Sequence, residues 1–277
     1  MNDSFKIHTM YWDDLAFAAQ CTAAEGWASE DLSALQGFYL AEVDGQPAGI
    51  CVATLYGGSG FIGELIVRPE QRGGGMGAAL LNHGVRLLQQ GGAHTVYLDG
   101  VLKAVGLYER KGFRKVARSW RFSGRLAGKV YPDVRPIRAD DLPAIFDLDR
   151  LAFREDRTFF LGRRWSLFPE LGKVWEKDGR VVGYILGRRG TGWVSAGPWV
   201  ITPGENTPER LLESLALETG TTSISIGILD THSHACTLAR SLGLTAREDS
   251  PWRMALGRQA DLGTSLMCYA VGSAAKG

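Results

Sequence analysis

The sequence predicts a layered α/β (α+β) protein built as two tandem domains, each a mixed twisted β-sheet flanked by helices. Three observations carry that expectation: an internal repeat, the same order of strand-like and helix-like segments in each copy, and a composition that supports two cores. Of 277 residues, 45% are apolar and 22% charged, with 31 Lys+Arg against 30 Asp+Glu. A chain this long and apolar can bury one large or two modest cores. It is too apolar and too evenly charged to remain disordered. The same balance argues against nucleic acid or an anionic membrane as partner, since both require a concentrated positive field. Cys21, Cys51, Cys236 and Cys268 are scattered and form no CxxC pair. They predict neither a disulfide framework nor a zinc site, and they suit a reduced, cytoplasmic compartment. The first twenty residues hold Asp3, Asp13 and Asp14 and lack the basic-then-apolar layout of a leader. No apolar run is long enough to span a bilayer.

The repeat fixes the order of elements. Segments 38–54 and 171–188 each read as an apolar strand, a charged Asp-Gly turn and a second apolar strand, a hairpin signature. Gly49 falls on Gly183, 134 residues on, and Val67-Arg68-Pro69 on Ile201-Thr202-Pro203. Further along, Leu98-Asp99 matches Leu229-Asp230 and Lys111-Gly112-Phe113 matches Leu242-Gly243-Leu244, now 131 residues apart. Each copy therefore begins with a strand and helical segment (5–24; 134–153), followed by the hairpin and another strand. A helix (76–90; 208–219), a strand, a helix and a last strand complete it. Gly and Pro cluster at 124–133, which places the domain boundary at 1–127 and 128–277.

The chemical signal lies in 61–90. An apolar strand over 61–67 stops at Pro69, and Gln71-Arg72-Gly73-Gly74-Gly75-Met76-Gly77 then leads into a helix striped with Leu80, Leu81, Val85 and Leu88. A strand feeding a glycine-rich bend and a helix start directs several backbone N–H groups at one point, at the positive end of the helix dipole. That suits a diphosphate. Ala78-Ala79 stands where a nucleotide-triphosphate loop carries Lys-Ser/Thr, and the glycine spacing is not that of a dinucleotide fold.

Val67, Pro69, Arg72, Gly73, Gly75 and Gly77 reproduce the V-x-P-x-x-R-G-x-G-x-G loop of the GCN5-related N-acetyltransferase (GNAT) superfamily, which the chain resembles. Leu107-Tyr108, Gly112 and Phe113 reproduce its second hallmark, L-Y-x-x-x-G-F. The resemblance implies two GNAT-like domains, the second degenerate, and acetyl-CoA as co-substrate. The acyl donor would lie between two splayed strands, 61–67 and 95–99, its diphosphate on Arg72, Gly73, Gly74, Gly75, Met76, Gly77 and Ala78. Main-chain groups of Leu65, Ile66 and Val67 would pair with its pantetheine arm, and an N–H near Ile66 would hold the oxyanion. Tyr108 is implied as the acid that protonates the departing thiolate, with Asp99 or Glu64 as the base. The implied acceptor is a primary amine on a small or amino-acid-like molecule. A non-catalytic CoA-binding sensor is the competing class.

At the 134-residue offset the second copy replaces Arg72, Gly73, Gly75 and Gly77 with Asn206, Thr207, Glu209 and Leu211, with Pro208 and Glu209 at the helix start, and at 131 it replaces Tyr108 with Ala239. It is therefore expected to shape the acceptor side rather than bind acetyl-CoA. His232 and His234 read as surface histidines on a loop, because no third metal ligand accompanies them. Asp140-Asp141 read as a helix start, and Asp156-Arg157 as a cleft pair or an ordinary ion pair.

Overall fold

The computed structural model describes residues 5–27, 37–190, 192–220, 223–258 and 262–277; Asp3 lies outside them. In the first half β1 (Lys6–Thr9) leads to α1 (Leu15–Ala24), then the hairpin β2 (Phe38–Val43) and β3 (Gln46–Leu55). β4 (Ser59–Val67), α2 (Met76–Gln90), β5 (Thr95–Gly100), α3 (Val105–Arg110) and β6 (Arg114–Gly124) follow. The second half runs β7 (Val134–Pro136), α4 (Leu142–Phe153), α5 (Thr158–Leu167), the hairpin β8 (Lys173–Lys177) and β9 (Arg180–Arg189), then β10 (Trp193–Ile201). It closes with α6 (Glu209–Ala216), β11 (Ser223–Leu229), α7 (Ser233–Ser241), β12 (Thr245–Ala246), β13 (Trp252–Gly257) and β14 (Cys268–Ala270).

The repeat is physical. Both hairpins turn on two residues at positive φ, Asp44 and Gly45 at 50° and 74°, Asp178 and Gly179 at 50° and 71°, as a tight turn matched to strand twist requires. A Cβ on Gly49 would lie 2.9 Å from the Ile66 carbonyl and 3.1 Å from Leu80; on Gly183 it would lie 3.1 Å from the Val200 carbonyl and 3.1 Å from Leu211. The same close packing of helix on hairpin thus recurs in both halves. Leu211 is the counterpart of Leu80 rather than of Gly77, so the three-residue shortening falls in the strand-to-helix loop. The C-terminal caps of α3 and α7 also match: Phe113 N–H donates to the Tyr108 carbonyl and Leu244 N–H to that of Ala239, each at 3.0 Å. Tyr108 and Ala239 are therefore true counterparts. The match of Leu98 to Leu229 is not carried by the sheet, where Leu98 pairs with Ile62 while Ile226 pairs with Ala196.

One sheet crosses both halves in the order β1-β2-β3-β4-β5-β13-β6-β11-β10-β9-β8-β7. β13 runs antiparallel between β5 and β6, and β6 pairs on its other edge with β11. A cut at 127/128 therefore divides the chain but not the sheet, because the second half lends a central strand to the first. Hydrophobic periodicity cannot reveal such an exchange, since β13 reads as a strand wherever it pairs.

Helices cover both faces. α2 sets Leu80, Leu81 and Leu88 against Cys51, Ile62, Val96 and Leu98, while α1 packs Ala18 and Cys21 on Leu40, Ile50, Val52 and Ile66. Each fully buried leucine contributes roughly 1.5–3 kcal/mol. α5 was not evident as a separate helix. It follows a break where Arg154 takes φ 74°, and Arg157 turns inward to donate two hydrogen bonds, 2.8 Å each, to Asp149. Asp156 faces outward instead, accepting from Thr158 N–H, so the two neighbours have separate partners. Asp141 accepts from Arg138 N–H at 2.7 Å ahead of α4, as a helix-starting acid should. His232 departs from expectation. It is buried, its Nδ1 accepting from Ala235 N–H to cap α7, whereas His234 is exposed.

Candidate active site

β4 and β5 run parallel from Ser59↔Thr95 to Ile62↔Leu98 and then part. In the same place β4 slips register against β3 between Ile50 and Val52, and Glu64 takes φ 45°. One extra residue bends the strand away from its neighbour, which opens the gap. Beyond Ile62 the β5-facing edge of β4 has no strand partner among the described residues, so Leu65, Ile66 and Val67 present main-chain groups to the gap as an open sheet edge would.

The glycine bend sits at the mouth of this gap. Gly73 and Gly75 both adopt φ 88°, and Gly75 is the N-cap of α2. Side chains at this φ carry a conformational penalty that glycine avoids. A Cβ on Gly73, Gly74 or Gly75 would meet nothing within 4 Å, so the space before the bend is open. The N–H groups of Met76, Gly77 and Ala78 belong to the first turn, which has no intrahelical acceptors to give them. Open space, converging donors and a positive helix end fit the diphosphate of acetyl-CoA. Arg72 donates from Nε to the Val67 carbonyl (2.9 Å) and from its terminal nitrogen to Glu25 (2.6 Å); Lys103 donates to the other Glu25 oxygen at 2.8 Å. The Lys103 hydrogen bond above all holds the Glu25 carboxyl below the usual range. Glu25, at the end of α1, gave no signal in the sequence, because its partners lie far along the chain.

Tyr108 lies at the end of β5, and Glu64 stands on β4 just past the parting of the strands. The Tyr108 ring lies where a Cβ on Gly100 would come within 2.9 Å of it, at the end of β5, and its edge meets Phe113 at 6.2 Å. It is 6% exposed, and burial pushes its phenol well above the ordinary value, so it stays protonated. Glu64 is buried at the β4 bulge. Asp99 lies just past the parting of the strands but in a different setting. Arg253 donates to one oxygen at 2.5 Å; Arg121 (2.6 Å) and Ser119 (3.0 Å) donate to the other. Burial opposes its charge, yet the two guanidiniums prevail and hold the carboxyl below its usual value. A carboxylate so paired is a poor proton acceptor.

The second half opens the corresponding gap. β10 and β11 pair from Trp193↔Ser223 to Ala196↔Ile226 and part. There β14 enters, pairing with β10 at Trp199↔Ala270 and Val200↔Cys268. Ile201 N–H donates to the Met267 carbonyl at 3.0 Å, and Val271 N–H reaches across to Gly227 of β11 at 2.8 Å. Trp199 and Val200 lie 134 residues after Leu65 and Ile66. A strand of the chain thus occupies the edge that stands open in the first half. Pro198 takes the place of Glu64 and Ala239 that of Tyr108. Among the described residues no group of three His, Cys, Asp or Glu is placed to hold a metal, and no helix is long and apolar enough to cross a membrane.

Comparison with known proteins agrees with this geometry. Residues 4–113 match the model of the acetyltransferase (GNAT) family, and residues 145–266 match that of an acetyltransferase (GNAT) domain. A mycothiol acetyltransferase of Streptomyces avermitilis is 43% identical over 83 residues, 28% of this chain and 27% of that protein. An uncharacterised N-acetyltransferase of Methanocaldococcus jannaschii is 43% identical over 56 residues, 20% of this chain and 35% of that protein. The matches thus span about a quarter to a third of these relatives. Among solved structures, a putative acetyltransferase from Pyrococcus horikoshii superposes with a TM-score of 0.81 at 20% identity, over 100% of this chain and 97% of that one. A tandem GNAT protein from the clavulanic acid biosynthesis pathway does so with a TM-score of 0.63 at 14% identity, over 93% and 100%. These two likenesses establish the fold. With a family match in each half, the chain belongs to the GNAT acetyltransferases, in a tandem arrangement of two GNAT domains.

Proposed function

We propose that the first half carries acetyl transfer from acetyl-CoA to a primary amine of a small or amino-acid-like acceptor, by direct attack while both are bound. The observation that carries this reading is the open glycine bend beside the gap between β4 and β5, with Tyr108 at the end of β5. Acetyl-CoA supplies a thioester, which an amine attacks once it is neutral and aligned. The bend and α2 hold the diphosphate, and Leu65, Ile66 and Val67 hold the pantetheine arm as an added strand. Binding both reactants in register supplies much of the rate. A main-chain N–H near Ile66 stabilises the oxygen as it gains charge. Glu64 accepts the proton that the amine must lose. Tyr108 donates its phenolic hydrogen to the departing sulfur. Because burial makes a lasting phenolate costly, that hydrogen must be restored within the turnover. Asp99, the other carboxylate the sequence offers, is better used to position Arg253 and Arg121.

Residues 128–277 shape the acceptor side and lend β13 to the catalytic sheet. β14 in the second gap supports a single acetyl-CoA per chain. The relatives named for mycothiol acetylation share only a segment with this chain, so the acceptor class rests on the site itself. The test is calorimetry with acetyl-CoA together with a thiol-release assay over a panel of primary amines. One molecule bound per chain and amine-dependent thiol release are expected. Binding with no release on any amine would establish a CoA sensor instead.

A further inference from the structure

Arg253 is the least exposed charged residue among those described. Its residue exposure is 0%, and its guanidinium comes from β13, the strand lent by the second half. Nε donates to Asp99, but both terminal nitrogens lack a hydrogen-bond partner. Asp99 is shared with Arg121, whose side chain is 15% exposed. Among the described residues two guanidiniums therefore face one carboxylate, one positive charge more than that carboxylate balances. Buried donors without acceptors and an uncompensated buried charge are both costly, so this arrangement calls for an anion.

Its position says which anion. The guanidinium lies 5.0 Å from the Phe61 ring centre, across β5, and its register partner is Asp99, the first β5 residue past the parting of the strands. It thus stands beside the opening where the amine must arrive, on the face covered by Phe153 and Leu262 and opposite that packed by α2. Residues 272–277 close over this floor. A Cβ on Gly277 would rest 3.4 Å from Phe61, and one on Gly63 would clash with Ala275. Arg157 and Tyr56 hold that loop by the carbonyls of Gly277 (3.1 Å) and Lys276 (2.6 Å).

We propose that the two free terminal nitrogens of Arg253 bind a carboxylate on the acceptor, so that the preferred substrates are amines bearing a nearby carboxylate, as in amino acids. Planar carboxylates match the guanidinium fork with two parallel hydrogen bonds. A single negative charge neutralises the cluster, whereas a phosphate dianion would overshoot it. Loop 272–277 lifts to admit the acceptor. This assignment rests on the acetyltransferase reading and deepens it.

The experiment uses the full chain with saturating acetyl-CoA and matched amine pairs, an L-amino acid and its carboxamide. Wild-type kcat/KM should favour the carboxylate member by roughly tenfold or more. Arg253→Lys should shrink that ratio, mainly through KM, with acetyl-CoA affinity by calorimetry unchanged. Equal use of both members, or preference for the amides, overturns the carboxylate site while leaving acetyl transfer standing. No turnover of any pair with acetyl-CoA bound also overturns it, and failure to bind acetyl-CoA removes both readings. If Arg253→Lys does not fold, as its melting profile would show, the wild-type ratio alone decides.

Discussion

The two halves open the same gap and treat it in opposite ways. In the first, β4 leaves β5 after Ile62 and exposes an unpaired edge beside an open glycine bend. In the second, β10 leaves β11 after Ala196, and β14 bonds at once to the exposed edge. The parting of strands is thus a property of the fold, recurring with its own register slip in each half. What distinguishes a cofactor groove from a closed sheet is whether the chain supplies its own filling strand. An unpaired edge is a binding opportunity only while nothing local competes for it.

The largest expected effect tests the bend against its counterpart. Gly75→Glu forces a side chain into φ 88° and sets a negative charge at the start of α2. Strain and repulsion together amount to about 4 kcal/mol, so calorimetry should show acetyl-CoA affinity reduced ~1,000-fold. Asn206→Glu in the second half should leave it unchanged. If Asn206→Glu also weakened binding, the asymmetry between the halves would be wrong. Asp99→Asn comes next. It strips the shared partner from two largely buried guanidiniums, and losing one member of such a cluster costs about 3 kcal/mol of stability. The native Asp99 carboxyl titrates below its unfolded value of about 3.9. Its contribution is therefore fully present above that pH and fades as pH falls through the lower, native value. Urea melts of both proteins should differ most at neutral pH and converge in acid. Tyr108→Phe follows, lowering kcat about 100-fold with acetyl-CoA affinity intact.

Much of this comparison was legible in the sequence. The Asp-Gly turns, the paired glycines 49 and 183 and the bounds of α2 depend on local backbone chemistry or on a short period, and both survive in one dimension. Tyr108 and the loop were legible because their neighbours along the chain form the motif. The bulge that turns Glu64, the pairing of Asp99 with Arg253 across 154 residues and the lending of β13 were not. Each depends on which strand lies beside which, and apolar alternation is blind to that. β14 was hidden for the same reason. Cys268-Tyr269-Ala270 is a short apolar run, and only its partner gives it meaning.

The subtlest effect bears directly on what fills each gap. Ile201 N–H and Val271 N–H already donate to Met267 and Gly227, so their exchange with solvent is governed by opening of β14, whether or not acetyl-CoA is bound. The amides of Met76, Gly77 and Ala78 stand at a helix start without intrahelical acceptors, so they should exchange quickly in the free protein. On adding acetyl-CoA those three should slow by up to a factor of 1 + [L]/Kd, roughly a hundredfold (about 2.7 kcal/mol) at a hundredfold excess over Kd. Exchange at Ile201 and Val271 should move far less, since acetyl-CoA gains no contact there. Slowing at both gaps would mean that β14 gives way to a second acetyl-CoA, and the chain would then hold two sites where the packing of β14 supports one.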